Sequence, residues 1–241
     1  LTANDGNGNT SSCSFTVTLK DVTLPTALCK NVTANLGTNG TVTVAPALVN
    51  NGSSDNCTFT LSLTPNTFNC FNIGITNTVV LRATDAAGNS ATCSAKVTVK
   101  DASGPVAKCK NPTIFLDNLG QATLSVAQVN NGSTDNCGIA TMSISETHFN
   151  CSDLPGSAWP VTLNLTDVNG NSSSCLSYVL VKETIAPTAI CEDVTVQLNA
   201  SGNAVVYGAD LAAASVDNCS VWSYSPVAKV YKAFNIGNNN L

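Results

Sequence analysis

Apolar residues recur at every second position over short stretches of this chain, and the stretches end in clusters of Asp, Asn, Gly and Pro. Val161, Leu163 and Leu165 alternate with Thr162, Asn164 and Thr166; Cys93, Ala95, Val97 and Val99 alternate with Ser94, Lys96, Thr98 and Lys100. A two-residue period puts one set of side chains on each face of an extended strand, so both segments read as half-buried β-strands. Between such strands lie DAAGNS and DVNGNS, whose Asp, Gly and Asn suit a tight hairpin. Ile114 and Leu116, then Ala122, Leu124 and Val126, flank DNLGQ and predict a further hairpin. MSISE and the residues around HFNC add short strands. No segment sustains an apolar pattern at helical spacing; ADLAAAS offers a single turn.

The pattern repeats. LTANDGNGNTSSCSFTVTLKDVTLPTALCK from Leu1, LRATDAAGNSATCSAKVTVKDASGPVAKCK from Leu81 and LNLTDVNGNSSSCLSYVLVKETIAPTAICE from Leu163 align in order, a step of about 80 residues. With some seven strands per step, the expectation is all-β: tandem Ig-like β-sandwich modules of about 80 residues, disulfide-stapled and arranged as a rod. A compact β-barrel is the alternative architecture. Pro25, Pro105 and Pro187 each open a module after a short linker, which divides the chain into 1–24, the C-terminal part of a preceding repeat; 25–104 and 105–186, two complete repeats; and 187–241, the N-terminal part of a following one. The chain reads as a window on a longer array.

Cysteine follows the same step. The 11 cysteines fall into sets at 13, 93 and 175; at 29, 109 and 191; at 57, 137 and 219; and at 70 and 151, with Ala233 where the fourth set would continue. There is no CxxC pair, and His148 is the only histidine, so Cys/His zinc sites are excluded and disulfides in an oxidising compartment are favoured. If the first and last strands of a module run parallel at its edge, Cys29 meets Cys93 and Cys109 meets Cys175. A hairpin through Pro65-Asn66 would join Cys57 to Cys70, and its counterpart Cys137 to Cys151. Such loops stabilise by roughly 4 kcal/mol for the longer and 3 kcal/mol for the shorter. The rival connectivity joins Cys29 to Cys57 and Cys70 to Cys93.

Charge removes several function classes. Only 10% of residues are charged and the net charge is −5, with Arg82 the sole arginine, so no basic stripe exists for nucleic acid. No apolar run is long enough to span a bilayer. One unrepeated histidine gives no nucleophile and base pair, and the acids belong to the repeat, so the chain is not expected to be an enzyme.

The D-N-C triplet (Asp55 to Cys57, Asp135 to Cys137, Asp217 to Cys219), the TDxxGNSxxC hairpin and the linker acid followed by Pro and Cys together resemble hyalin-repeat (HYR-like) modules of large secreted surface adhesins of Bacteroidetes-type bacteria. The resemblance covers essentially the whole chain. It implies an extracellular or cell-surface location, secreted and attached to an outer membrane, and a stalk or filament role in adhesion or gliding motility. Partners would be neighbouring repeats, other copies in a filament and an unidentified surface ligand. A carbohydrate- or ligand-binding module using the polar loops is the second reading; the two tryptophans, Trp159 and Trp222, do not occupy matching repeat positions.

Calcium is the candidate cofactor. In the proposed strand order the linker acid, the D-N-C loop and the GN turn meet at one pole, offering the oxygen-rich environment hard cations need. The candidate ligands are Asp21, Asp55 and Asp85 in the first complete module, and Asp101, Asp135 and Asp167 in the second, with Asn130 and Asn131 beside them. The competing reading makes these residues turn formers that bond their own backbone. The NxS/T sequons, at Asn31, Asn131, Asn164, Asn171 and Asn199, are expected by chance in so Asn-, Ser- and Thr-rich a chain.

Overall fold

The computed structural model describes residues 1–154, 156, 158–225 and 227–232; Ala233 lies outside the described residues. The chain is all-β and forms two compact units, Leu1–Ser103 and Gly104–Leu241.

In the first unit a hairpin of β1 (Thr2–Asn4) and β2 (Thr10–Ser12) precedes a sandwich. The sandwich contains β3 (Val32–Asn35), β4 (Thr41–Thr43), β5 (Phe59–Thr64), β6 (Thr67–Asn69), β7 (Asn77–Asp85) and β8 (Ser90–Lys100). One sheet runs in the order β3-β8-β7-β5 and the other pairs β4 with β6. Alternation explains the layering: along β7, residues 77, 79, 81, 83 and 85 are buried and 78, 80 and 82 exposed. Val79, Leu81 and Ala83 are fully buried, and Phe68 of β6, Val44 and Val49 are buried with them. β3 runs parallel to β8, with Val32 opposite Val97, which places the first and last strands side by side.

The second unit repeats this plan with β9 (Thr113–Phe115), β10 (Gln121–Thr123), β11 (Ile139–Ile144), β12 (His148–Asn150), β13 (Trp159–Asp167) and β14 (Ser172–Lys182). Its sheets are β11-β13-β14-β9 and β10-β12, closed on a core of Ile114, Leu124, Val129, Phe149, Val161, Leu163, Leu165 and Val179. Beyond it, β15 (Asn203–Tyr207) pairs with β16 (Ala228–Lys232). Truncating a side chain such as Leu163 would cost about 3 kcal/mol.

Three expectations change. First, the DNLGQ turn is tight, with the Gly120 N–H donating to Asp117 O, but the strands on either side enter different sheets, so it is a crossover between layers and not a hairpin. Second, each module holds two helical turns that strand periodicity concealed: an α turn, α1 (Pro46–Val49), started by a proline whose missing N–H costs nothing there, or α2 (Val126–Val129), where the Ser125 N–H donates to the Gln128 side chain, and a one-turn 3-10 helix, Cys70–Asn72 or Cys151–Asp153. α3 (Gly208–Leu211) overlaps the start of the ADLAAAS segment.

Third, the cysteine pattern departs from the expected one. Cys29 is bonded to Cys93 and Cys109 to Cys175. The expected bond of Cys57 to Cys70 is absent, because Cys57 is free and exposed while Cys70 is disulfide-bonded. The expected bond of Cys137 to Cys151 is absent too, because Cys151 is bonded to Cys219. The reason is topological. β5 pairs with β7 in one sheet and β6 with β4 in the other, so the two cysteines flank a sheet-to-sheet crossover, not a hairpin. β6 is half the length of β5, so Cys70 does not return to the level of Cys57. The same holds for β11 and β12.

Candidate functional site: an acidic pole

The acids of the first unit reach one point by three routes. Asp85 ends β7, Asp55 sits in the loop before β5, and Asp21 lies in the linker ahead of Pro25. One carboxylate oxygen from each lies within 4.8 Å of the other two. Asp85 is buried, while Asp21 and Asp55 are half-buried.

Each acid also builds its own loop. Asp85 Oδ1 accepts the Asn89 N–H at 2.7 Å and Oδ2 accepts the Asn89 side-chain amide at 2.7 Å. The same amide donates to Asp21 O at 3.2 Å, which ties the hairpin turn to the linker. Asp55 Oδ2 accepts the Cys57 N–H at 3.0 Å, and Asp21 Oδ1 accepts the Thr23 N–H at 2.9 Å. The Thr23 N–H, and after it the Cys57 thiol, hold the Asp21 carboxyl below its ordinary value. In turn the hydrogen bond to Asp21, with burial and the three nearby carboxylates, pushes the Cys57 thiol up. Asp21 Oδ2 is shielded from solvent, and the Asn56 and Thr23 side chains add to the pull of that thiol on the carboxyl.

A carboxylate oxygen carries two lone pairs, so one N–H on each leaves capacity for a cation. Three carboxylates held within 4.8 Å repel one another, and a hard divalent ion would relieve that repulsion. The residues present fit such an ion. Turn building and ligation are therefore compatible for these acids, where the sequence had set them as alternatives.

In the second unit Asp167 is buried, with Oδ1 accepting the Asn169 and Asn171 N–H groups at 2.8 Å each and Oδ2 accepting the Asn171 amide at 2.7 Å. Burial pushes the Asp167 carboxyl up, but the Asn171 side chain and the backbone N–H groups of the turn outweigh it and leave the carboxyl below its ordinary value. Asp135 Oδ1 accepts from the N–H groups of Cys137 and Gly138 at 2.8 Å, while its Oδ2 is shielded and meets no donor. Asp101, in the first unit, accepts the Ser103 N–H at 3.0 Å. Asn130 and Asn131 are loop formers: Asn130 Oδ1 accepts the Ser133 N–H, and the Asn131 N–H donates to Lys108 O.

His148 opens β12 on the surface, its Nδ1 2.8 Å from Thr147 Oγ1. Trp159 is 42% exposed and donates its indole N–H to Asp153 O in the one-turn helix at Cys151–Asp153, while Trp222 is 95% exposed. Sequence reasoning missed Asn89 and Asn171, whose side-chain amides donate hydrogen bonds to the acids. The repeated spacing D-x-x-G-N, with Asn four residues after Asp, is the signal that marks them.

Residues 20–99 match the HYR domain family, so the first complete repeat is a HYR-like module. A sequence search of the curated proteins finds no match. Among solved structures the chain is similar to Drosophila N-cadherin EC1-4, at 13% identity and a TM-score of 0.36, over 66% of this chain and 50% of that one. It is also similar to the four N-terminal Ig domains of Dscam1 (10%, TM-score 0.33, 66% and 46% covered) and to titin I67–I69 (15%, TM-score 0.27, 77% and 75% covered). The chain thus spans about half the length of the first two. No helix among the described residues is long and apolar enough to cross a membrane.

Proposed function

We propose that the chain is a stalk or filament segment of an extracellular surface protein, built from repeats whose junctions calcium stiffens, and that it serves adhesion or surface motility without catalysing a reaction. The coarser part is an extracellular-type, disulfide-bonded, HYR-like repeat. The finer part is carried by one observation: Asp21 of the linker shares a point with Asp55 and Asp85 of the module that follows. A cation there would bind the linker to the module and stop it swinging, the mechanical need of a rod.

The test is calcium titration of thermal unfolding. At about 100 times its dissociation constant, calcium bound only to the folded state adds about 2.7 kcal/mol, or roughly 10 °C in a domain of this size. Magnesium at equal concentration should do less, being poorly matched to a wide carboxylate site. No shift at millimolar calcium would sink the calcium reading. Electron microscopy of the chain tests the rod separately: beads joined at variable angles, with or without calcium, would count against a stiff stalk.

A further inference from the structure

The bond between Cys151 and Cys219 joins the fourth-set cysteine of one repeat to the third-set cysteine of the next, and it is built on both sides. On the receiving side, the turn Asp117–Gly120 presents Asp117 O and a glycine with φ of +71°. A Cβ on Gly120 would lie 2.5 Å from Cys151 Sγ and 2.7 Å from Asn218 O, so the turn can admit the next repeat only as glycine. On the entering side, the D-N-C triplet divides the work. Asp217 folds the loop by accepting the Cys219 N–H at 3.1 Å, Asn218 donates its side-chain amide to Asp117 O at 2.9 Å, and Cys219 makes the covalent bond. The entering loop is fixed to its own repeat through the Thr188 and Val216 backbone pair, so the bond holds a repeat and not a loose strand.

We propose that the D-N-C triplet is a plug that docks into the Gly120 turn of the preceding repeat and locks there through Cys219, and that the resulting splice carries tension past most of the repeat. Formation of the bond takes two electrons and two protons from the two thiols, accepted by a disulfide-bearing thiol oxidant that leaves as a dithiol. The mechanical consequence follows from chain order. Cys109–Cys175 and Cys151–Cys219 interleave, so a pull entering near Cys109 crosses to Cys175, runs back to Cys151 and crosses to Cys219. Only the stretch between Cys151 and Cys175 lies in the load path; the rest of the repeat is bypassed even if it unfolds. The plug also explains why Asp, Asn and Cys recur as one triplet: each residue has a separate task in docking.

The experiment is single-molecule stretching of the full chain by handles on the exposed side chains at Lys108 and Trp222. In the oxidised protein about 28 residues lie in the load path, giving a limiting length of about 95 Å at ~3.4 Å per residue. In the Cys151→Ser/Cys219→Ser variant about 48 residues, or about 165 Å, are expected, and after reduction about 114 residues, or about 390 Å. These lengths depend on covalent connectivity and not on whether a variant folds or calcium is bound. An oxidised wild-type length near 165 Å, or a non-reducing peptide map joining Cys137 to Cys151, overturns the proposal. A Gly120→Val variant separates docking from bonding: its oxidised fraction with Cys219 should fall severalfold, and an undiminished yield would show that the turn does not act as a socket.

Discussion

The turn after β1 and the turn after β13 have nearly the same sequence, DGNGN and DVNGN, and the same internal hydrogen bonds. Asp5 Oδ2 accepts the Asn9 amide at 2.6 Å and Oδ1 the Asn7 and Asn9 N–H groups, just as Asp167 does with Asn169 and Asn171. Yet Asp5 is exposed and Asp167 is 2% exposed. Both carboxyls lie below their ordinary value, Asp5 chiefly through the Asn9 amide, Asp167 against the opposing pull of its burial. Turn chemistry is therefore local and identical, whereas the energetic weight of the carboxylate is set by what covers it.

Alanine substitution should expose that difference most sharply. Asp167→Ala takes the buried acceptor from three N–H donors and is expected to destabilise the second unit by about 3 kcal/mol in urea unfolding; Asp5→Ala should leave the midpoint unmoved. Equal effects would mean that burial adds nothing. Next in size is the loss of calcium protection: Asp85→Asn should remove most of the roughly 10 °C shift expected of the first unit, while Asp5→Asn should preserve it.

Acid unfolding sharpens the comparison further. A carboxyl depressed in the folded state contributes stability above its unfolded pKa, about 4, and that stability is lost as pH falls through the lower folded value. Asp167→Asn should flatten the acid limb of the stability curve below about pH 4, measured by fluorescence of unfolding; an unchanged limb would show that other acids dominate it. The smallest effect concerns the amide alone. Asn171→Ala removes one hydrogen bond to a charged group, worth about 1.5 kcal/mol, and should raise the Asp167 titration point by NMR toward the ordinary carboxylate value.

Much of the module was legible along the chain. Val97, Leu163 and their alternating neighbours announced the buried faces of β8 and β13, and the D-x-x-G-N turns announced the hairpins β7–β8 and β13–β14. Cys29–Cys93 and Cys109–Cys175 follow from first and last strands running parallel, since that arrangement alone brings distant cysteines to one level. The acidic pole was legible as a list of residues but not as a geometry. Whether Asp21, Asp55 and Asp85 meet depends on the angle at which the linker passes the turn, and the Asn89 amide bonding Asp21 O decides it. α1 and α2 were hidden because four residues are too few to impose a helical period on the pattern.

What the sequence by itself determined is the period, the strand faces, the turns and the chemistry each repeat position carries, because all of these arise from residues close in the chain or from exact recurrence. Tertiary structure alone decided the partners of the remaining cysteines. Pro65 and Asn66 announce a turn equally well whether the strands beside them pair with each other or leave for opposite sheets, and only the second arrangement occurs. With that crossover the hairpin staple disappears, and Cys151 is left facing the Asn218 carbonyl and Cys219 of the next repeat. A short-range motif cannot encode that choice, since it is made by which sheet edge is free to accept each strand.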